Sequence, residues 1–383
     1  MEFSIKDTYR AQVEAITGGK NTVMYDDYGN PNIMVLIHDM HSSYYGISDN
    51  HHYAASYITN EEFEDNKCRR ETWIAKYAAS RGNNQCPSSA PNKQFWFTSN
   101  FSEAKNACKR MGKGWHLTSN YEWLQIAYSG IINGTMKEVD FTNEWIYEAL
   151  GCGPIPEGSK TIDPMNMRTG MYGSAYSHTG DIDGVMDMQG TVWQYVDGLY
   201  TGPGWEELHY WGYHGRPINC VFDDKYTDYG RHADGTYYPI CLDTNTTPEN
   251  YDGCRAHLDT DHFRETPSFY DGPMPSAWST PGDDAAISEN VVLSIGVKKL
   301  HENNVPDKSN YHPRIAFQCQ NGEDVIMHAS RGGSLPNSIL DRAAQKMRAN
   351  AVDLLFMPES KYGIHYGVPD CGFRFSYTGE LSV

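Results

Sequence analysis

The sequence predicts an α+β fold, and three observations carry that expectation. Two helical segments with clear start and stop signals lie in the first half. Strand-like runs bounded by turn chemistry occur near both ends. After Tyr172 the pattern changes to glycine, aspartate and aromatic residues, which reads as turns feeding a buried strand.

The first strands expected are 21–25 and 32–37. Asp26-Asp27-Tyr28-Gly29-Asn30-Pro31 between them is turn chemistry, so a hairpin is expected. The first helix starts at Asn100, where Glu103 completes a capping box. Phe101, Ala104, Cys108 and Met111 recur at helical spacing, and Gly112 and Gly114 stop it. The second starts at Ser119 with Glu122 three residues on, and Trp123, Leu124, Ala127, Tyr128 and Ile131 make one apolar stripe. Gly114-Trp115-His116-Leu117 between them has room for a turn and one strand. Residues 184–196 read as a turn entering a buried strand, and 314–318, 326–329 and 372–377 as later strands. From about 202 to 310 the chain is rich in Asp, Tyr, Pro, His and Gly with little periodicity, so a loop-rich insertion is expected there. The expected organisation is a β-rich N-terminal segment over 1–50 and a main domain over 51–383 that carries this insertion.

Composition narrows the function classes. The 383 residues carry a net charge of −18, which argues against nucleic acid or an anionic membrane as partner. Hydrophobic residues make up 39% and aromatics 13%, enough to build a core and too many for a disordered chain. Tyrosine, at 27 copies, suits a binding surface because it gives a large, stiff, amphipathic contact. The nine cysteines are odd in number and widely spaced, with no Cys-x-x-Cys. Neither a disulfide framework nor a closed zinc site is suggested, and most are expected to be buried free thiols. The opening Met-Glu-Phe-Ser-Ile-Lys-Asp has no apolar stretch, and the run at 34–37 is too short to span a bilayer. Neither a signal peptide nor membrane insertion is expected. Gly-x-Ser-x-Gly, the P-loop and the dinucleotide fingerprint do not occur.

Four separated segments resemble one family. Gly114-Trp115-His116-Leu117-Thr118-Ser119-Asn120-Tyr121-Glu122-Trp123 is similar to a G-W-R-L-P-T-E-A-E-W element. Residues 184–196 are similar to G-L-Y-D-M-x-G-N-V-W-E-W. Arg331-Gly332-Gly333-Ser334 matches R-G-G-S, and Cys371-Gly372-Phe373-Arg374 matches a closing G-F-R strand. Together, in this order, they resemble the formylglycine-generating-enzyme (sulfatase-modifying factor) type of C-type-lectin fold. The resemblance implies a twisted mixed sheet with flanking helices. Its oxygenase members hold copper with two cysteines shortly after R-G-G-S. Here the matching positions are Asn337 and Arg342, and no cysteine lies between Cys319 and Cys371, so that chemistry is missing. The non-enzymatic branch includes variable proteins of diversity-generating retroelements, many of them phage or bacterial ligand binders. Residues 16–31 also resemble openings of gut-phage members.

The resemblance therefore implies a non-catalytic receptor-binding protein of a phage tail tip, made in a bacterial cytoplasm and carried in the virion or on an extracellular surface. Its partner would be a host cell-surface protein or glycan, and weak single sites favour a homo-oligomer such as a trimer. The expected contact residues are Leu335, Asn337, Ser338, Leu340, Asp341 and Arg342 after R-G-G-S, with Lys361, Tyr362, His365 and Tyr366 before the last strand. Arg331, Gly332, Gly333, Gly372, Phe373 and Arg374 are expected to be scaffold. Family members often bind calcium in loops, and Asp181, Asp183 and Asp187 offer hard oxygen donors for Ca²⁺; no other cofactor is expected.

Two rival readings stay open. A metal-dependent enzyme could use Cys254, His257 and His262 in the insertion, and the His38, His41, His51 and His52 group is a second imidazole cluster. A structural virion protein would bind only neighbouring subunits.

Overall fold

The computed structural model describes residues 2–38, 44, 56–57, 68–69, 71–98, 100–136, 139–140, 167–201, 207–210, 229–231, 237–239, 255–257, 270–273, 296, 300, 305, 314–317, 327–333, 348–358 and 371–378. The architecture is α+β: two main sheets, largely antiparallel, and few helices. No described helix is long and apolar enough to cross a membrane.

The chain opens on α1 (Glu2–Ile16), a helix that the β-rich reading of residues 1–50 did not contain. Tyr9 and Val13 meet Val23, Ile33, Tyr77 and Met186, and Arg10 Nε donates to the Val23 carbonyl at 3.0 Å. Gly18 and Gly19 both sit at positive φ, and the Gly19 amide returns to the Glu14 carbonyl at 2.8 Å, which ends the helix. The expected hairpin follows as β1 (Asn21–Tyr25) and β2 (Pro31–His38). Asp26 Oδ1 shapes its turn by accepting from the amides of Tyr28 and Asn30.

That hairpin is half of a five-stranded sheet. With β3 (Glu71–Ala75), β4 (Trp115–Leu117) and, from the far end of the chain, β13 (Phe375–Tyr377), the order is β1-β2-β3-β13-β4. The two capped helices are α2 (Phe101–Lys109) and α3 (Asn120–Ile132). Asn100 Oδ1 accepts from the Glu103 amide at 2.7 Å, and Ser119 with Glu122 forms a complete capping box.

The second sheet contains β5 (Trp193–Thr201), β6 (Glu207–Tyr210), β7 (Arg255–His257), β8 (Tyr270–Pro273), β9 (Arg314–Phe317), β10 (Met327–Arg331), β11 (Leu354–Pro358) and β12 (Cys371–Phe373). Its order is β7-β6-β5-β10-β11-β9-β8, with β12 beside β5. Two of its pairs, β5 with β12 and β9 with β11, are parallel. The stretch read as a loop-rich insertion thus supplies both ends of this order, β7 and β8. Gly296, Leu300 and Val305, within the same stretch, are buried.

One apolar cluster joins the sheets. Trp96, Phe101, Cys108, Trp115, Leu117 and Phe375 on one side meet Trp193, Tyr195, Leu355, Met357 and Phe373 on the other. Burying whole aromatic side chains contributes about 2 kcal/mol each to such a core. Among the described residues, Cys86, Cys108 and Cys371 are buried and form no disulfide.

Candidate functional site

All ten expected contact residues, Leu335, Asn337, Ser338, Leu340, Asp341, Arg342, Lys361, Tyr362, His365 and Tyr366, lie outside the described residues. Their anchors are described, and Arg331, Gly332, Gly333, Ala349 and Cys371 among them are buried. Arg331 is fully buried. Its Nε donates to Asn120 Oδ1 at 2.7 Å, Nη1 to the Val352 carbonyl at 2.9 Å and Nη2 to the Gly296 carbonyl at 3.1 Å. One guanidinium thus joins the start of α3, the turn before β11 and the end of the long insertion. Planar, multiply donating recognition of this kind is what arginine does and lysine does not.

Gly332 sits at φ +95, and a Cβ there would lie 2.4 Å from the Met188 carbonyl oxygen. That close approach lets the Gly190 amide donate to the Gly332 carbonyl at 2.8 Å. Gly333, at φ +66, approaches Ala349, whose Cβ would be 2.8 Å from an added Cβ. The points where 334–347 leaves and rejoins the described chain therefore touch. Asn350 and Asp353 cap the rejoining turn through the Asn350 amide to Asp353 Oδ2 and the Val352 amide to Asn350 Oδ1, and Trp123 Nε1 donates to the Ala351 carbonyl at 2.7 Å.

Register places the second pair of anchors. Arg331 pairs with Leu354 and Gln194, and Trp193 pairs with Cys371, all at one end of the sheet. Pro358 pairs with Met327 at the other end. Cys371, where the chain re-enters after the second stretch, thus sits at the same end as the feet of the first. Beside this end, the half-buried Phe97, Met171, Tyr172 and Tyr176 pack against Ala349 and Val192.

The other sequence-predicted site is described in full. Asp181, Asp183 and Asp187 lie on a tight loop from Ser177 to Asp187. Ser177 Oγ donates to the Asp181 carbonyl at 2.7 Å, and the Ile182 amide donates to Asp181 Oδ1 at 2.6 Å. Asp183 pairs with Lys20 and accepts from Thr179 Oγ1 at 2.7 Å. Burial opposes its charge, but the hydrogen bonds from Lys20 and Thr179 hold its carboxyl below the usual range. Asp187 is buried, at φ +60, and accepts from the amides of Gly170 (2.8 Å) and Ala78 (3.3 Å). Burial raises its pKa to about 6 against the nearby Arg374, whose own value burial lowers to about 10. Arg374 Nη1 and Nη2 donate to the carbonyls of Ala75 and Met186.

Three residues of this site had no signal in the sequence. Lys76, at the end of β3, donates to the Ile182 carbonyl. With its amide oriented to satisfy both atoms, Asn21 accepts from Lys76 Nζ at 2.6 Å and donates to the Asp183 carbonyl at 2.7 Å. Burial lowers Lys76 to about 8 despite Asp183. His178 Nδ1 accepts from the Val185 amide at 2.8 Å, and burial pushes its imidazole down to about 4. The neutral ring is therefore the form that holds the loop.

A calcium ion does not fit these donors. Asp183, the Ile182 carbonyl and Asn21 already face ammonium groups, and Asp187 faces a guanidinium and two amides. Among the described residues no group of three or more His, Cys, Asp or Glu is placed to hold a metal ion. Of the rival zinc set, Cys254 and His262 lie outside the described residues and only the backbone of His257 is described. His41, His51 and His52 also lie outside them.

A third polar group is structural. His116 and Glu122 are buried, with Nε2 to Oε1 at 2.9 Å, and Glu122 also accepts from Thr72 Oγ1 and the Ser119 amide.

No model of a known protein family matches the chain, and no curated protein matches it.

Proposed function

We propose that the chain is a non-catalytic ligand-binding protein with a formylglycine-generating-enzyme type of C-type-lectin framework, acting in host-surface recognition at a phage tail tip. The observation that carries this reading is the burial of the two motifs that bracket the candidate contact segments. Arg331 and Arg374 are both fully buried, and Gly332 is wedged against Met188. Segments suspended from such anchors can change sequence while the framework stays the same, which suits a binder that meets many ligands. The anchors Gly333, Ala349 and Cys371 lie at one sheet end, so residues 335–342 and the approach to Cys371 would serve one surface. The ligand would be a host cell-surface protein or glycan, and the net charge of −18 disfavours a strongly anionic one. The reading includes display as a homo-oligomer, a trimer among the options, because avidity multiplies weak single sites.

The test is cell binding by purified full-length protein, read by flow cytometry on a panel of bacteria. A variant with alanine at all ten candidate contacts should lose binding by at least about tenfold while its melting temperature stays unchanged. Undiminished binding by that variant would overturn the assignment of these contacts, and no binding by the wild type to any of the bacteria would overturn the reading and favour a structural virion role.

A further inference from the structure

We propose that the loop 177–187 is organised by the protein's own cations in place of a metal ion, with the Lys76 amino group filling the cation position between the Asn21 side-chain oxygen and the Ile182 carbonyl. Three cationic side chains converge on this loop from separate parts of the chain. Lys20 precedes β1 and pairs with Asp183. Lys76 directly follows β3 and holds Ile182. Arg374 separates β12 from β13 and holds Met186. They face three carboxylates, Asp181, Asp183 and Asp187, so the formal charges of the group balance. Lys20 and Asp181 lie at the solvent edge, but Lys76, Arg374 and Asp187 are buried, and a divalent ion added beside these would leave two positive charges in excess, which is unfavourable there. Space is equally short. A Cβ on Gly184 would lie 2.4 Å from both Ser177 Oγ and Thr179 Oγ1, so the loop is closed on itself rather than open around a vacant centre.

The arrangement makes the loop a junction. The N-terminal hairpin, the end of β3 and the closing strand each contribute one cation, so the loop ties together pieces that are distant in sequence. The Lys76 amine contacts Ile182 across 106 positions and Lys20 meets Asp183 across 163. Holding this junction with covalently attached cations makes its geometry independent of the calcium concentration around the protein.

Two measurements on the full-length chain test this. In the first, thermal melting and calcium binding of the wild type are compared in millimolar calcium and in excess EDTA. The expected result is the same melting temperature in both and no stoichiometric calcium bound. A fall of about 5 °C or more in EDTA, or one tightly bound calcium per chain, would overturn the proposal. The second measurement is amide hydrogen exchange of Lys76→Met, which keeps the volume and removes the donors. Exchange at Ile182 to Gly184 should accelerate at least about tenfold while α2 and α3 keep their protection. Unchanged exchange in the loop would equally refute the role given to Lys76. Should Lys76→Met fail to fold, the wild-type comparison decides alone.

Discussion

Arg331 opens one short glycine-containing motif and Arg374 closes another, and both are fully buried, but they are satisfied differently. Arg331 donates to three neutral oxygens, on Asn120, Val352 and Gly296. Arg374 donates to the Ala75 and Met186 carbonyls and faces the buried Asp187 carboxylate. The first is a mechanical pin that fixes the foot of a candidate binding segment. The second is half of a charge balance that fixes a loop on the far side of β5. The difference teaches that a buried arginine can be conserving geometry or conserving charge, and that substitution separates the two.

The largest expected effect is therefore at Arg374. Arg374→Met strands Asp187 without its counter-charge and should destabilise by about 3–5 kcal/mol at neutral pH. Arg331→Met leaves neutral acceptors and should cost about 1–3 kcal/mol. The gap should depend on pH. The folded-state pKa of Asp187, about 6, lies above its ordinary value of 3.8, so the folded protein binds the extra proton between these limits. Stability linked to this group is present on the acid side and is lost as pH rises through about 6. Removing Arg374 shifts Asp187 further towards the protonated form, so the penalty of Arg374→Met should shrink as pH falls from the alkaline side towards about 6 and stay level below it, while that of Arg331→Met stays level throughout. Urea unfolding of both variants across that range checks this. Equal, pH-independent losses would show that Asp187 is not the source of the difference.

The glycines of the two motifs sharpen the same comparison at smaller scale. Gly332→Ala combines positive φ with a Cβ pressed to 2.4 Å from the Met188 carbonyl, a backbone atom that cannot step aside. A loss of about 3 kcal/mol is expected. Gly372→Ala meets Val192 Cγ2 at 3.1 Å and the Trp96 carbonyl oxygen at an ordinary 3.4 Å and has no positive φ, so less than about 1 kcal/mol is expected. Comparable losses for the two would mean that the R-G-G turn is not the strained element. Midpoints of chemical denaturation give both numbers.

Much of this framework was legible because its determinants are local. The hairpin turn is set by Asp26 and Gly29, and the helix starts by side chains three residues apart. Gly332 could be read as a close approach because no other residue tolerates one. What was not legible depends on partners remote in sequence. Among its described side chains, α1 turns Tyr9 and Val13 towards partners on β1, β2 and the loops beyond them, contacts that no local pattern displays. Strands β6, β7 and β8 are three or four residues each, and their assignment comes from hydrogen bonding to β5, β6 and β9 rather than from their own composition. The aspartates at 181, 183 and 187 were read as calcium donors because spacing displays carboxylates but hides counter-ions. Lys20, Lys76 and Arg374 lie between about 100 and 200 positions away from their partners, and no local pattern encodes such a meeting.

The smallest effect expected is at the helix that receives Arg331. Ser119→Ala removes the hydroxyl that accepts from the Glu122 amide at 3.2 Å, one residue before Asn120. N-cap losses of this type run to about 1 kcal/mol. Here the low end is expected, because Glu122 keeps its place without the serine hydroxyl. Its carboxylate still meets His116 at 2.9 Å, Thr72 at 3.1 Å and the residue 119 amide at 2.8 Å, all of which survive the substitution. The start of α3 should then hold its position, and with it Asn120 Oδ1 and the Arg331 contact. A melting-temperature fall of about 1 °C or less with unchanged exchange at Val352 fits this account. A fall several times larger, together with faster exchange at Val352, would mean that the cap rather than the guanidinium positions the foot of the 334–347 segment. The neutral-oxygen pin would then be a consequence of helix placement and not its cause.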